Sequence, residues 1–169
     1  LQELLEQTGI PFVGSGSLAS QNAMDKVKTK EIATEIGIQT PAWMTLAKNQ
    51  QCTLDIPIIL KPVDDGSSID MAICQSNIEI KTARKHLHAN RENLLAESYK
   101  QGREITVGII DGIPLPTIEI VPPQDIATYD YDAKYERDDT LFILDPELPT
   151  NDCIESALLL YRTMHIQDI

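Results

Sequence analysis

Arg103-Glu104-Ile105-Thr106-Val107-Gly108-Ile109-Ile110-Asp111-Gly112-Ile113-Pro114-Leu115-Pro116-Thr117-Ile118-Glu119-Ile120-Val121 reads as two extended arms folded back on one turn. Asp111-Gly112 is a dipeptide suited to the left-handed backbone that a tight hairpin turn demands. Pro122-Pro123 ends the second arm. A hairpin with short connections around it excludes a simple all-parallel sheet.

On the N-terminal side of the hairpin, strand-like runs cover Ala42 to Leu46, Ile56 to Lys61 and Ile69 to Gln75, separated by turn-rich segments. Asn77 is expected to cap a helix that carries Ile80, Ala83 and Leu87 on one face, and a strand from Asn93 to Glu97 follows. Further back, Leu1, Leu4 and Leu5 show helical spacing until Gly9 and Pro11 stop it, which predicts that polypeptide precedes Leu1 in the intact protein. Pro11 to Val13 reads as extended and Gly14 to Ser17 as a turn with Ser17 as N-cap. A helix from Asp25 to Ile36 turns Val27, Ile32, Ala33 and Ile36 inward, holds Lys26, Lys28 and Lys30 on its polar side, and ends at Gly37. After the hairpin come a tyrosine-rich polar loop, a strand from Thr140 to Leu144 and a helix from Asp152 to Met164. Interleaved helices and strands with a hairpin give an α+β, two-lobed architecture.

The 169 residues can bury a real core, and 42% hydrophobic with 24% charged residues suits a soluble globular chain. The longest apolar runs, Ile56 to Leu60 and Ile105 to Ile110, fall far short of the roughly 20 residues that a spanning helix needs. No basic region followed by an apolar segment opens the sequence, so no signal peptide is read there, and a cytoplasmic location is expected. The formal net charge of −12 argues against gripping a nucleic-acid backbone. It leaves room for a phosphorylated small molecule, which needs only a local cluster of lysines and backbone N–H groups. Cys52, Cys74 and Cys153 are widely spaced and form neither a disulfide framework nor a zinc site, so they read as reduced, mostly buried thiols. His86, His88 and His165 read as structural or exposed.

Four local patterns carry candidate chemistry. Ile58-Ile59-Leu60-Lys61-Pro62 delivers one ammonium to a strand end, and Asp64-Asp65-Gly66-Ser67-Ser68 offers free N–H groups and two hydroxyls of the kind that wrap phosphate oxygens. Glu97 and Glu104, at the end of one strand and the start of the next, are placed to accept hydrogen bonds from a ribose or an adenine-side group. Tyr129-Asp130-Tyr131-Asp132-Ala133-Lys134-Tyr135 is too polar for a core and too aromatic for a linker, which suits a structured loop over a site.

In this order the four patterns resemble the D-alanine–D-alanine ligase family of the ATP-grasp superfamily. The likeness extends to Gly9-Ile10-Pro11-Phe12-Val13-Gly14-Ser15-Gly16, Ala23-Met24-Asp25-Lys26 and Gly102-Arg103-Glu104-Ile105-Thr106-Val107. The tyrosine-rich segment is the most specific part of it. The resemblance implies two α+β lobes clamping ATP, with residues 1–20 as the remnant of a preceding N-terminal domain, 21–100 as the small lobe and 101–169 as the first part of the large lobe.

It also implies roles. Lys26 and Lys61 look like the lysines on the phosphates, with Gly66, Ser67 and Ser68 closing over them. Glu97 with Ser98 would serve the adenine side and Glu104 the ribose. Lys134 would reach the transferred phosphoryl, and Tyr135 with Ser67 would orient the first substrate. The implied ligands are ATP, D-alanine and magnesium, and the intact protein is open to forming a homodimer. No metal ligand is expected within the sequence, because the family's acidic metal ligands fall after its last residue; the chain alone is therefore expected not to ligate. Asp70 stands where the phosphate loop of the family carries a second glycine, and its charge and restricted backbone are expected to oppose closure over phosphate. Two alternatives stay open: a non-catalytic ATP-grasp-like nucleotide- or partner-binding module, and another ATP-grasp carboxylate–amine ligase.

Overall fold

The computed structural model describes residues 1–125 and 129–167. Its centre is a four-stranded antiparallel sheet of β1 (Trp43–Ala47), β2 (Ile58–Pro62), β3 (Ala72–Cys74) and β4 (Asn93–Ser98), in the order β1-β4-β2-β3. Alternation along the strands sends one set of side chains to each face. Ile58, Leu60, Leu94, Ala96 and Leu46 gather on one face with Ile80 and Leu87 of α4 (Asn77–Leu87), and this cluster is the core. Ile59 and Lys61 fall on the opposite face with Glu97, which lies directly across from Ile59 and from Trp43 in the ladders. Burying a leucine fully contributes about 1.5–3 kcal/mol, so this sheet is the stable floor on which the site stands.

Three helices precede the sheet: α1 (Gln2–Thr8), α2 (Ser17–Met24) and α3 (Lys26–Glu35). The N-cap of α2 is Gly16 and not Ser17; the carboxylate of Glu6 does the capping, accepting from the Ser17 N–H at 2.8 Å and from its hydroxyl at 2.5 Å. Similarly α4 is capped by Ser76 and not Asn77, through the Ser76 hydroxyl and the Glu79 N–H. α3 closes at Gly37, whose φ of +81° lets Ile38 donate to the Ala33 carbonyl at 2.8 Å.

The hairpin forms, in two parts. β6 (Ile109–Ile110) and β7 (Ile113–Pro114) flank Asp111 and Gly112, at φ +52° and +72°. Beyond them residues 107–108 on one arm stand against 115–117 on the other, and this extra residue breaks the ladder before β5 (Glu104–Thr106) pairs with β8 (Ile118–Val121). β9 (Leu141–Leu144) adds to β8, giving a second sheet in the order β5-β8-β9. Between β8 and β9, α5 (Tyr131–Tyr135) is capped by Asp130. α6 (Asn151–Thr163) ends the described chain and touches α3. The strand expected from Ile69 shortens to Ala72–Cys74 because residues 67–70 form a loop. Among the thiols only Cys74 is buried; Cys52 is half-buried and Cys153 exposed, which corrects the expectation of mostly buried cysteines. Among the described residues no helix is long and apolar enough to cross a membrane.

Candidate functional site

Lys26 opens α3. Asp25 caps the helix by accepting from Val27 and Lys28 at 2.9 and 3.0 Å, and this places the Lys26 ammonium against the chain just beyond β2. There it donates to the carbonyls of Asp65 at 2.5 Å and Val63 at 3.3 Å. Burial and the neighbouring Lys61 charge hold Lys26 below the ordinary lysine range, against the opposing pull of Asp65, Asp64 and Asp25.

Lys61 projects from β2 on the face opposite the core. Its ammonium pairs with Oε2 of Glu97, and Oε1 of the same carboxylate pairs with Lys30 from α3. Lys30 is buried at 9% exposure, not solvated on the polar side of its helix as its sequence setting suggested. Glu97 is itself 7% exposed. Burial pushes its carboxyl up, but the hydrogen bonds and charges of the two lysines outweigh that and hold it below its usual range. Two ammoniums share one carboxylate, so positive charge is left over at this end of the sheet. Ser98 follows at the end of β4, half-buried.

The loop after β2 supplies the next layer. Ser67, Ser68 and Asp70 all adopt left-handed backbone, at φ +56°, +55° and +56°. Asp70 thus takes the conformation for which glycine was expected. Its carboxylate is paired with Arg91 at 2.8 Å.

The tyrosine-rich segment lies on this loop. Ser67 Oγ and Tyr135 Oη share a hydrogen bond of 2.9 Å, Lys134 Nζ donates to Ser68 Oγ at 2.8 Å, and Ser68 Oγ donates to the Tyr129 carbonyl at 3.2 Å. The Lys134 ammonium also sits 5.1 Å from the centre of the Tyr129 ring. Glu104 accepts from the Tyr129 N–H at 3.2 Å and so ties the segment to the hairpin. The result is a cavity of about 250 Å³ lined by Lys26, Lys61, Gly66, Ser67, Ser68 and Lys134. That is smaller than the roughly 300–1,000 Å³ of pockets that enclose a whole drug-sized ligand, and it fits a phosphate chain better than a complete nucleotide. A larger hollow of about 450 Å³ beside α4 is also basic, but its Arg84 is committed to the carbonyls of Ala47 and Lys48 at 3.0 and 2.8 Å.

The sequence of the family described as "D-ala D-ala ligase C-terminus" matches residues 32–169. The chain belongs to the D-alanine–D-alanine ligase family. It is 35% identical to the D-alanine–D-alanine ligase of Acinetobacter baylyi over 98% of its own length and 55% of that protein's. It is 42% identical to the corresponding ligase of Pseudomonas entomophila over 84% of its length and 46% of that protein's. The crystal structure of the Bacillus anthracis ligase superposes with a TM-score of 0.82 at 30% identity, covering 99% of this chain and 56% of that one. Its complex with ATP gives 0.79 at 27%, with 99% and 55% covered. The fold is therefore the mixed helix and strand arrangement of the ATP-grasp ligases, and the chain spans about half the length of the curated relatives it matches.

Of the residues singled out in the sequence, Lys26, Lys61, Gly66, Ser67, Ser68 and Lys134 meet around one cavity, with Tyr135 on its rim. Glu97 and Glu104 stand behind it, the first against lysines and the second against the Tyr129 backbone. Lys30 and Arg91 were missed. Lys30 lies four residues after Lys26, and that helical spacing on one face was the available signal. Nothing local distinguishes Arg91, which acquires its partners only when β4 is laid beside the loop.

Proposed function

We propose that the chain is the nucleotide-gripping part of an ATP-dependent D-alanine–D-alanine ligase, and that its cavity receives the phosphates of ATP. The observation that carries this reading is the convergence of Lys26, Lys61 and Lys134, from three separate elements, on one small cavity closed by the Ser67-Ser68 loop. The likeness to an ATP complex of a Bacillus anthracis ligase supports it. Phosphoryl transfer is catalysed chiefly by positioning and by neutralising charge on the phosphate oxygens, which fixed ammoniums do without a side-chain nucleophile.

In the whole protein the carboxylate of one D-alanine would attack the γ-phosphorus, giving an acyl phosphate and releasing ADP. The amine of a second D-alanine would then attack the acyl carbon, forming the amide and expelling phosphate. In this scheme Lys134 stands over the transferred group, Lys26 and Lys61 hold the remaining phosphates, and Tyr135 with Ser67 orients the first substrate. Glu97 contributes as the counter-ion that fixes Lys61, and Ser98 and Glu104 flank the adenine and ribose side. Magnesium would shield the phosphate charge, but among the described residues no three His, Cys, Asp or Glu side chains gather to hold a metal. We propose that the chain by itself binds nucleotide without ligating.

Calorimetric titration tests the reading. Each charge-assisted phosphate contact contributes about 1.5–3 kcal/mol, so Lys61→Ala should weaken ATP binding about tenfold or more and leave adenosine nearly unchanged. Equal ATP affinity in the variant and the parent would refute it.

A further inference from the structure

We propose that Arg91 is the positioning residue of the phosphate loop, holding Asp65 and Asp70 together so that the loop presents its N–H groups and hydroxyls, and not its carboxylates, to the phosphates. This rests on the nucleotide reading above.

Three residues of the loop sit in left-handed backbone that side-chain-bearing residues adopt at a cost in free energy. Each has a partner outside the loop. Ser67 is held by Tyr135 and Ser68 by Lys134, both from the tyrosine-rich segment. Asp70 is held by Arg91, which stands two residues before β4 of the first sheet. The same guanidinium closes on the other end of the loop, where Nε lies 3.1 Å from Asp65 Oδ2 and Nη2 pairs with the same oxygen. The Arg91 carbonyl is in turn bonded to Nδ1 of the buried His88 at 3.0 Å, which fixes the residue from below.

Position and charge follow from one contact. Ser67 and Ser68 are tied to the tyrosine-rich segment, whereas the tie through Arg91 does not depend on that segment. Asp65 and Asp70 flank the lysine-lined cavity and would repel a triphosphate. With one guanidinium between them the pair carries a single net negative charge. His86, exposed, lies 3.5 Å from the other oxygen of Asp70. A lysine cannot reproduce the forked contact to two carboxylates.

The residues concerned are 22–39% exposed at the side chain, and ion pairs at that exposure contribute little to folding. The effect is therefore to be sought in phosphate binding. Arg91→Met should weaken ATP about tenfold while adenosine changes less than about twofold and Tm stays within about 4 °C. Arg91→Lys should fall between. In an Asp70→Gly background, where one carboxylate is gone and the left-handed backbone costs nothing, the same Arg91→Met change should weaken ATP by about threefold or less.

Loss of ATP and adenosine affinity in equal measure, or an identical loss in both backgrounds, would mean that Arg91 is only structural. Amide hydrogen exchange of residues 66–70 decides the matter without nucleotide. Arg91→Met should accelerate it about tenfold if Arg91 holds the loop, and unchanged exchange overturns the proposal. Should the parent chain bind no ATP, the nucleotide reading fails while this exchange measurement still rules on Arg91.

Discussion

The two main sheets are written in a similar alphabet and end up in opposite environments. β2 and β4 of the first sheet bury Ile58, Leu60, Leu94, Leu95 and Ala96 completely. In the second sheet every residue of β9 is exposed, with Leu141 and Phe142 at 60%, Ile143 at 42% and Leu144 at 66%. What separates them is a cover: α4 lies across one face of the first sheet and α3 sends Lys30 over the other, while all four residues of β9 stay open to water. An apolar strand gains stability only where something shields it from water. Stability should thus be concentrated beneath Lys26 and Lys61, and the tyrosine-rich segment that carries Lys134 hangs from the weaker half.

The contrast is tested most severely by two buried glutamates. Glu97 in the first sheet pairs with two lysines that are themselves 11% and 23% exposed at the side chain. Glu119 in the second pairs with Arg103, whose side chain is 51% exposed and can turn to water. Glu97→Gln strands two ammoniums in a desolvated place and should cost about 3–5 kcal/mol, read as a shift of the urea midpoint. Glu119→Gln should shift the midpoint much less. Equal shifts would show that the two sheets are not as unlike as their burial suggests.

A smaller effect of the same origin depends on pH. The two lysines hold the Glu97 carboxyl below its ordinary value of 4.5, so the charged form is favoured on folding. The stability this brings is complete above that value and disappears as pH falls through the lower folded one, where the native state must also take up a proton. Urea midpoints compared between about pH 3 and pH 7 should therefore show the gap between the parent and Glu97→Gln narrowing on the acid side only. A gap that stays constant to the lowest pH would mean that Glu97 is not the ionised partner of Lys30 and Lys61.

Much of this was legible in advance, and what was not has a common cause. The hairpin turn could be read because Asp111-Gly112 has to supply left-handed backbone whatever surrounds it. The cavity lysines could be read because a lysine after three apolar strand residues, and another behind a capping aspartate, are local patterns. The cap of α2 slipped by a residue because the distant Glu6 took over, whereas at α4 the adjacent Ser76 hydroxyl serves in place of Asn77. Lys30 was assigned to water because Lys28 beside it is indeed solvated and paired with Glu31 at 2.7 Å, although the helix turns the two in different directions. The Ile69 strand was overdrawn because no sequence pattern announces that Arg91, some twenty residues on, will hold Asp70 in a turn. Local rules reach as far as the next turn of chain, and these contacts join separate elements.

The mildest test concerns β9 itself. Leu144 closes the strand at 66% exposure, so its side chain has little contact to lose, unlike Phe142, whose ring meets Tyr129 edge-on at 6.3 Å. Leu144→Ser keeps the backbone ladder, in which Leu144 stands opposite Ile118, and removes apolar surface that is already in water. Substitutions of that kind stay within about 0.5 kcal/mol, so the urea midpoint of the chain should barely move. Any change should appear in solubility, because an exposed apolar strand at the edge of a sheet invites other strands to pair with it and a polar residue discourages this. A loss of about 2 kcal/mol or more, of the size expected for truncating a buried leucine, would show instead that β9 is covered in solution. The weakness assigned to the second sheet would then be wrong, and with it the expectation that the segment carrying Lys134 opens more readily than the floor carrying Lys61.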